Sequence, residues 1–123
     1  MIKKLSFLVG VFVTALIPVC VAAADAPVRV PLLVYHHIRD TKPYPKSTWS
    51  YKMSVSPTIF EKQMQWISDH GYTPVTLDDA VAYLNKNNTT LQKPIVITFD
   101  DNNLNAYERG LPILQKHGFI AVF

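Results

Sequence analysis

Apolar and polar positions follow two different periods along the chain, and the changes of period predict the order of its elements. Short apolar runs of strand length and β-branched composition occupy residues 30–38, 72–75, 95–99 and 119–123. The segments between them carry apolar residues at helical spacing. The predicted order is therefore β-α-β-α-β-α-β, which favours a parallel sheet with right-handed crossover helices.

Three helices are predicted from start signals and apolar stripes. Ser56-Pro57 begins the first helix, and Thr76, followed by Asp79 in a capping-box position, begins the second. Pro112 in the third predicts a kink or a restart at that residue. The expected stripes are Phe60, Met64 and Ile67 in the first helix, Leu77, Val81 and Leu84 in the second, and Tyr107, Leu111 and Leu114 in the third.

The remaining segments read as helix ends and loops. Two helices end in the same dipeptide, His70-Gly71 and His117-Gly118, which predicts a glycine C-cap with a histidine in the last turn. Metal ligation by either histidine is the alternative. Residues 39–53 are polar and contain two prolines, so they predict a long loop, and loops of this length are usually functional or mobile.

The first 24 residues have the layout of a secretory signal peptide. Lys3 and Lys4 precede an apolar core over residues 5–21, and three alanines at 22–24 offer a cleavage site. We expect an exported protein, in the periplasm, at the cell surface or in the medium, whose mature chain begins at Asp25. A transmembrane helix is the alternative. The single cysteine, Cys20, lies in this segment, so no disulfide is expected after cleavage.

Charge excludes one class of function. The formal net charge of the whole chain is +3, and two of the positive charges belong to the leader. No run of basic residues follows it. A nucleic-acid partner is therefore not expected, and contact with a membrane is expected only through the signal peptide.

The candidate chemistry lies where the strand at residues 95–99 ends. Asp100 and Asp101 follow the apolar run directly, and Asn102 and Asn103 come next. Open α/β sheets and α/β barrels place their active sites at the carboxyl ends of strands, so acids here can bind a metal or accept a proton. A plain turn or a helix N-cap is the alternative.

These residues together resemble the polysaccharide deacetylases, the NodB-homology or carbohydrate esterase 4 family. The resemblance covers residues 30–123 and implies an α/β fold, the N-terminal half of a distorted (β/α) barrel, so residues 25–123 are expected to be a truncated part of that domain. The resemblance to the exported branch that acts on poly-β-1,6-N-acetylglucosamine lies upstream of the acid pair. The segments that resemble this branch are Tyr35-His36-His37-Ile38 and Val55-Ser56-Pro57. The segments that resemble the family as a whole are Thr98-Phe99-Asp100-Asp101, Leu111-Pro112-Ile113-Leu114 and Gly118-Phe119.

The resemblance implies metal-dependent removal of acetyl groups from a polymer of N-acetylglucosamine. Asp100 would be the general base, and Asp101 would bind a divalent, zinc-like metal. Such a metal lowers the pKa of bound water and polarises the acetamide carbonyl. His36 and His37 would line the cleft and contact substrate. The family has glycine where this chain has Asn102, a residue that tolerates the left-handed conformation.

The chain departs from the family in its metal ligands. None of its four histidines has a partner four residues away, so the family's His-x-x-x-His element is expected beyond Phe123. We therefore expect a fragment that is inactive and poorly soluble alone. The alternative is a short non-catalytic protein that binds glycan or a partner. A glycoside hydrolase fits less well, because its two carboxylates stand about 5–9 Å apart across the scissile bond and adjacent residues rarely achieve that.

Overall fold

The computed structural model describes residues 28–86 and 90–123. The predicted signal peptide lies outside the described residues. Within them, no helix is both long enough and apolar enough to span a bilayer. The elements are β1 (Leu32–Tyr35), β2 (His37–Ile38), α1 (Trp49–Lys52), β3 (Ser54–Val55), α2 (Pro57–Asp69), β4 (Thr73–Pro74), α3 (Leu77–Leu84), β5 (Pro94–Phe99) and α4 (Leu104–Lys116).

Strand β5 is the centre of a parallel sheet with the order β1-β5-β4. Its register with β1 sets Tyr35 opposite Phe99, so the two strands end at the same level. The predicted last strand is present as a single parallel bridge between Val122 and Thr98. The α/β class with parallel strands and crossover helices is confirmed.

The predicted strand at residues 30–38 is interrupted at His36. Strand β1 stops at Tyr35, where its partner β5 also stops, and β2 pairs with β3 instead. The predicted loop at residues 39–53 is also more structured than its composition indicated. It ends in helix α1 and leads directly into β3, and neither element was predicted.

Helix α2 forms as its sequence predicts. The Ser56 hydroxyl accepts a hydrogen bond from the Ile59 N–H at 3.3 Å and so caps the helix. Phe60, Met64 and Ile67 are all buried. They belong to the core between α2, α4 and the sheet, where the rings of Tyr35, Phe60 and Phe99 pack with centroids 4.9–5.8 Å apart.

The stripe predicted for the second helix is wrong, and the stripe predicted for the third is right only at Leu114. Helix α3 has its predicted cap, since the Thr76 hydroxyl accepts from the Asp79 N–H at 3.1 Å, but it buries Ala80 and leaves the predicted stripe exposed. Helix α4 buries Ala106, Gly110 and Leu114, of which only Leu114 was predicted. Small residues allow close contact: a Cβ on Gly110 would lie 3.4 Å from side-chain atoms of Ile38 and Phe99.

The two His-Gly dipeptides end helices as predicted. Gly71 and Gly118 have φ angles of +69° and +65°, the left-handed conformation that glycine adopts without strain. The His70 Nδ1 lies 2.8 Å from the carbonyl oxygen of Trp66. Neither His70 nor His117 lies at the acid pair. Helix α4 is continuous through Pro112, so the predicted restart is wrong.

One polar cluster ties α2 to α4. The Glu61 carboxylate accepts from Lys116 Nζ at 2.7 Å and from His117 Nε2 at 3.0 Å. The hydrogen bond from Lys116, followed by that from His117, lowers the pKa of Glu61. His117 is thus committed to this structural contact.

Candidate active site

The backbone turns sharply at the acid pair. Asp100 continues the ladder, because its N–H donates to the Tyr35 carbonyl at 2.8 Å. Asp101 and Asn102 then have φ angles of +67° and +46°. Asn102 therefore adopts the left-handed conformation expected of it. In a strand, the side chains of Asp100 and Asp101 would point to opposite faces of the sheet. The positive φ angle at Asp101 ends the strand there, so this constraint no longer applies to the two acids.

The turn predicts how position 102 responds to substitution. Asn102→Gly should leave the free energy of unfolding unchanged or slightly higher, whereas Asn102→Val should lower it by about 1–2 kcal/mol, because a β-branched side chain opposes a positive φ. Urea unfolding followed by circular dichroism measures both. Equal effects of glycine and valine would contradict a role for the backbone conformation.

His36 and Asp101 meet at the ends of the neighbouring strands β1 and β5. The Nδ1 of His36 lies 3.1 Å from Oδ2 of Asp101. Because a carboxylate oxygen accepts, Nδ1 carries the proton. Asn103 adds a second link, since its Nδ2 donates to the His36 carbonyl oxygen at 3.3 Å. The turn after β5 is thereby fixed to the end of β1.

Asn105 orients His37. The Ile38 N–H donates to Oδ1 of Asn105 at 3.0 Å, so the other amide atom is the nitrogen, which lies 3.2 Å from Nδ1 of His37. Nδ1 therefore accepts and the neutral ring carries its proton on Nε2. Burial, followed by the positive charge of Arg39, lowers the pKa of His37, which favours this neutral form.

These side chains border a cleft of about 450 Å³, which we call the acid cleft. It is lined by His36, His37, Arg39, Trp49, Ser50, Met53 and Asp101. Three of the four predicted site residues thus line one cleft. Asp100 does not line it, but it is exposed at the same strand end.

The described residues do not complete a metal site. Across residues 28–86 and 90–123, no three side chains of the ligating types His, Cys, Asp and Glu come together. His36 and Asp101 form a pair only. Zinc sites need three or four protein ligands, so this part of the chain provides at most some of them.

The residues of the site that were not predicted include Arg39, Trp49 and Asn105. A tryptophan in a polar, proline-containing loop was a signal for Trp49. No local sequence signal marked Asn105 as a site residue, because its partners Ile38 and His37 are 67 and 68 residues away in sequence.

Comparison with known proteins finds relatives of one kind. The chain is 30% identical over 97 residues to YxkH of Bacillus subtilis (strain 168), which carries the name polysaccharide deacetylase; the match covers 79% of this chain and 32% of that protein. It is 32% identical over 71 residues to the poly-β-1,6-N-acetyl-D-glucosamine N-deacetylase of Escherichia coli (strain K12), which covers 58% of this chain and 11% of that enzyme. No family model matches.

A solved structure shows the same similarity. The deacetylase PplD of Streptococcus pyogenes, determined in complex with acetate, matches with a TM-score of 0.63 and 28% sequence identity. The match covers 79% of this chain and 43% of that one. This chain therefore spans about a third or less of the length of the two curated relatives and less than half of the solved structure.

Proposed function

Because the chain is a homologue of the polysaccharide deacetylases and shares the part of their fold that it contains, we propose that it contributes the acid-bearing part of a site that removes acetyl groups from a polymer of N-acetylglucosamine. The contact between His36 and Asp101 is the observation that supports this most directly. It brings a histidine and a carboxylate together at the carboxyl ends of adjacent parallel strands, where α/β folds carry their chemistry.

Asp100 is the proposed general base. Its carboxylate accepts a proton from the water that attacks the acetamide carbonyl carbon. As the C–N bond breaks, the departing nitrogen takes up that proton, and acetate and a protonated amine are released while Asp100 returns to its ionised form. Asp100 suits this role better than Asp101. Its side chain is exposed and accepts no hydrogen bond from the described residues, whereas Asp101 already accepts one from His36.

Asp101 is the proposed metal ligand from this part of the chain. One of its oxygens is held by His36, and carboxylates that bind metals are commonly oriented by such a hydrogen bond. The remaining ligands of the divalent ion would come from outside the described residues. His36 therefore acts on Asp101 and also borders the cleft.

His37 is proposed to contact the polymer. With Nδ1 engaged by Asn105, the proton on Nε2 can be donated to a hydroxyl or acetamide oxygen of the sugar. A neutral donor suits a neutral N-acetylated substrate, because a neutral imidazole costs less free energy to desolvate on binding than a charged one.

A chimera tests the proposal. Residues 28–123 would replace the segment of the Escherichia coli enzyme that corresponds to them in the deacetylase fold, its 71 matching residues included, and acetate released from poly-β-1,6-N-acetylglucosamine would be measured. We expect the chimera to release acetate and the 123-residue chain alone to release none, because His36 and Asp101 do not complete a ligand set. A well-folded chimera without activity would argue against the proposal, and an active chain alone would overturn the expectation for the fragment.

Export belongs to the same proposal, since such a polymer lies outside the cytoplasm. When the chain is produced in a bacterial host, mass spectrometry of the exported product should show Asp25 as its first residue. A product that retains Lys3 and Lys4 in the membrane fraction would favour an uncleaved anchor.

A further inference from the structure

Trp49 is an exposed aromatic side chain on the border of the acid cleft. It is 73% exposed, the largest exposure among the large hydrophobic residues of the described chain. It lines the cleft together with His36, His37 and Asp101. No other aromatic ring of residues 28–86 and 90–123 stacks on it, so its indole is available to a ligand.

The backbone that carries Trp49 is held in place. Arg39 Nε donates to the Ser54 hydroxyl at 2.8 Å, and its Nη2 donates to the Ser50 carbonyl at 3.3 Å. The guanidinium carbon also lies 4.5 Å from the centre of the Tyr44 ring, a cation–π contact. Arg39 therefore joins helix α1, the start of β3 and the preceding loop to the end of β2.

The start of α1 is fixed as well. The Thr48 hydroxyl donates to the Pro45 carbonyl at 2.6 Å and accepts from the Tyr51 N–H at 3.3 Å, which caps the helix directly before Trp49. An exposed indole whose backbone is fixed by these hydrogen bonds is well suited to bind a ligand. A loop whose backbone moved freely would lose more conformational entropy on binding.

We propose that Trp49 is a substrate-positioning residue, on which a pyranose ring of the polymer stacks while the neighbouring polar groups of the acid cleft contact its acetamide and hydroxyl groups. This rests on the proposed function. One face of a hexosamine ring presents C–H groups, an apolar surface that an indole covers well, and the ring's edge carries the polar groups. Such a pairing of an aromatic surface with a few polar side chains is usual in small-molecule sites.

A second surface with a tryptophan is less suitable. A groove of about 310 Å³, the apolar groove, is lined by Pro31, Leu33, Tyr35, Gln63, Trp66, Ile67, Tyr72 and Ile95. The Trp66 ring is already stacked on His70 at 3.9 Å and faces Tyr72 at 5.9 Å. It is therefore occupied by its own neighbours, and this groove shares no lining residue with the acid cleft.

Two matched variants of the full chain test the proposal, because the chain has two tryptophans. In Trp66→Phe the emission comes from Trp49 alone, and in Trp49→Phe it comes from Trp66 alone. A β-1,6-linked tetramer of N-acetylglucosamine should change the emission of the first variant and leave that of the second unchanged. By calorimetry, Trp49→Ala should raise the Kd roughly tenfold, and Trp49→Phe should raise it much less.

The outcomes separate this inference from the proposed function. An emission change confined to Trp66, or binding that Trp49→Ala does not weaken, overturns the positioning role and leaves the proposed function standing. If the wild-type chain binds no tetramer while the chimera is active, the inference alone fails. If the chimera is also inactive, both fail.

Discussion

Asp100→Asn in the chimera is expected to lower the rate of acetate release roughly 10²- to 10⁴-fold, the usual contribution of a general base. The metal content per chain is expected to equal that of the parent chimera. Asparagine has nearly the shape of aspartate but cannot accept the proton of the attacking water. The turn at Asp101 and Asn102 and the ladder bond from the Asp100 N–H should survive, because they involve the backbone.

Asp101→Ala in the same chimera is expected to lower both activity and metal content, since it removes the proposed ligand and leaves His36 without its acceptor. Metal content by elemental analysis and acetate release should be compared with Glu108→Gln, an exposed acid on α4 that should change neither. Equal metal loss in Asp100→Asn and Asp101→Ala would contradict the assignment of the two roles, because Asp100 would then also hold the metal. Unchanged metal in Asp101→Ala would remove it from the ligand set.

The second large effect is on stability. Phe99→Ala should lower the free energy of unfolding by about 3–5 kcal/mol, which is a large part of the 5–15 kcal/mol typical of a domain. Phe99 is only 3% exposed, and its ring packs on Tyr35, Phe60 and Phe123 with centroids 5.5, 5.8 and 4.7 Å away. Its loss would leave a cavity directly below Asp100.

Tyr107→Ala is the matched control for this core substitution. Tyr107 was predicted to be buried but is 58% exposed, and its only ring contact among the described residues is with Phe123. We expect a loss of about 0.5 kcal/mol, within the range of surface substitutions. Urea unfolding of both variants at the same protein concentration gives the comparison. Equal losses would place Tyr107 in the core and contradict the structure.

The elements of the fold could be predicted where the signal was local. Ser56 followed by proline defines the start of α2, and Gly71 and Gly118 define helix ends, because caps depend on a few neighbouring residues. The buried faces of α3 and α4 could not be predicted in this way. An apolar period shows that a helix has an apolar face. Ala80 and Gly110 are buried because their small size allows the sheet and Ile38 to approach the helix closely. Small residues contribute little to an apolar pattern, so the sequence does not show which of them are buried.

The residues of the candidate site could likewise be predicted where the signal was local and not where it depended on distant residues. Asp100 and Asp101 could be identified from their place at the end of an apolar strand. The pairing of Asp101 with His36 depends on the register of β1 with β5, 65 residues apart, which local sequence does not specify. Helix α1 was missed for a related reason: a four-residue helix has little intrinsic stability, and contacts made by Arg39 hold it.

Strands β2 and β3 pair with each other and form a sheet separate from the three-stranded one. The segment between them, which carries Arg39 at one end and Trp49 near the other, therefore enters and leaves the fold at adjacent points. Such an insertion can change in length or composition without shifting the turn that holds Asp101. Under the proposed function, a preference for one glycan over another could then evolve by change in this segment, while the proposed catalytic acids stay under separate selection.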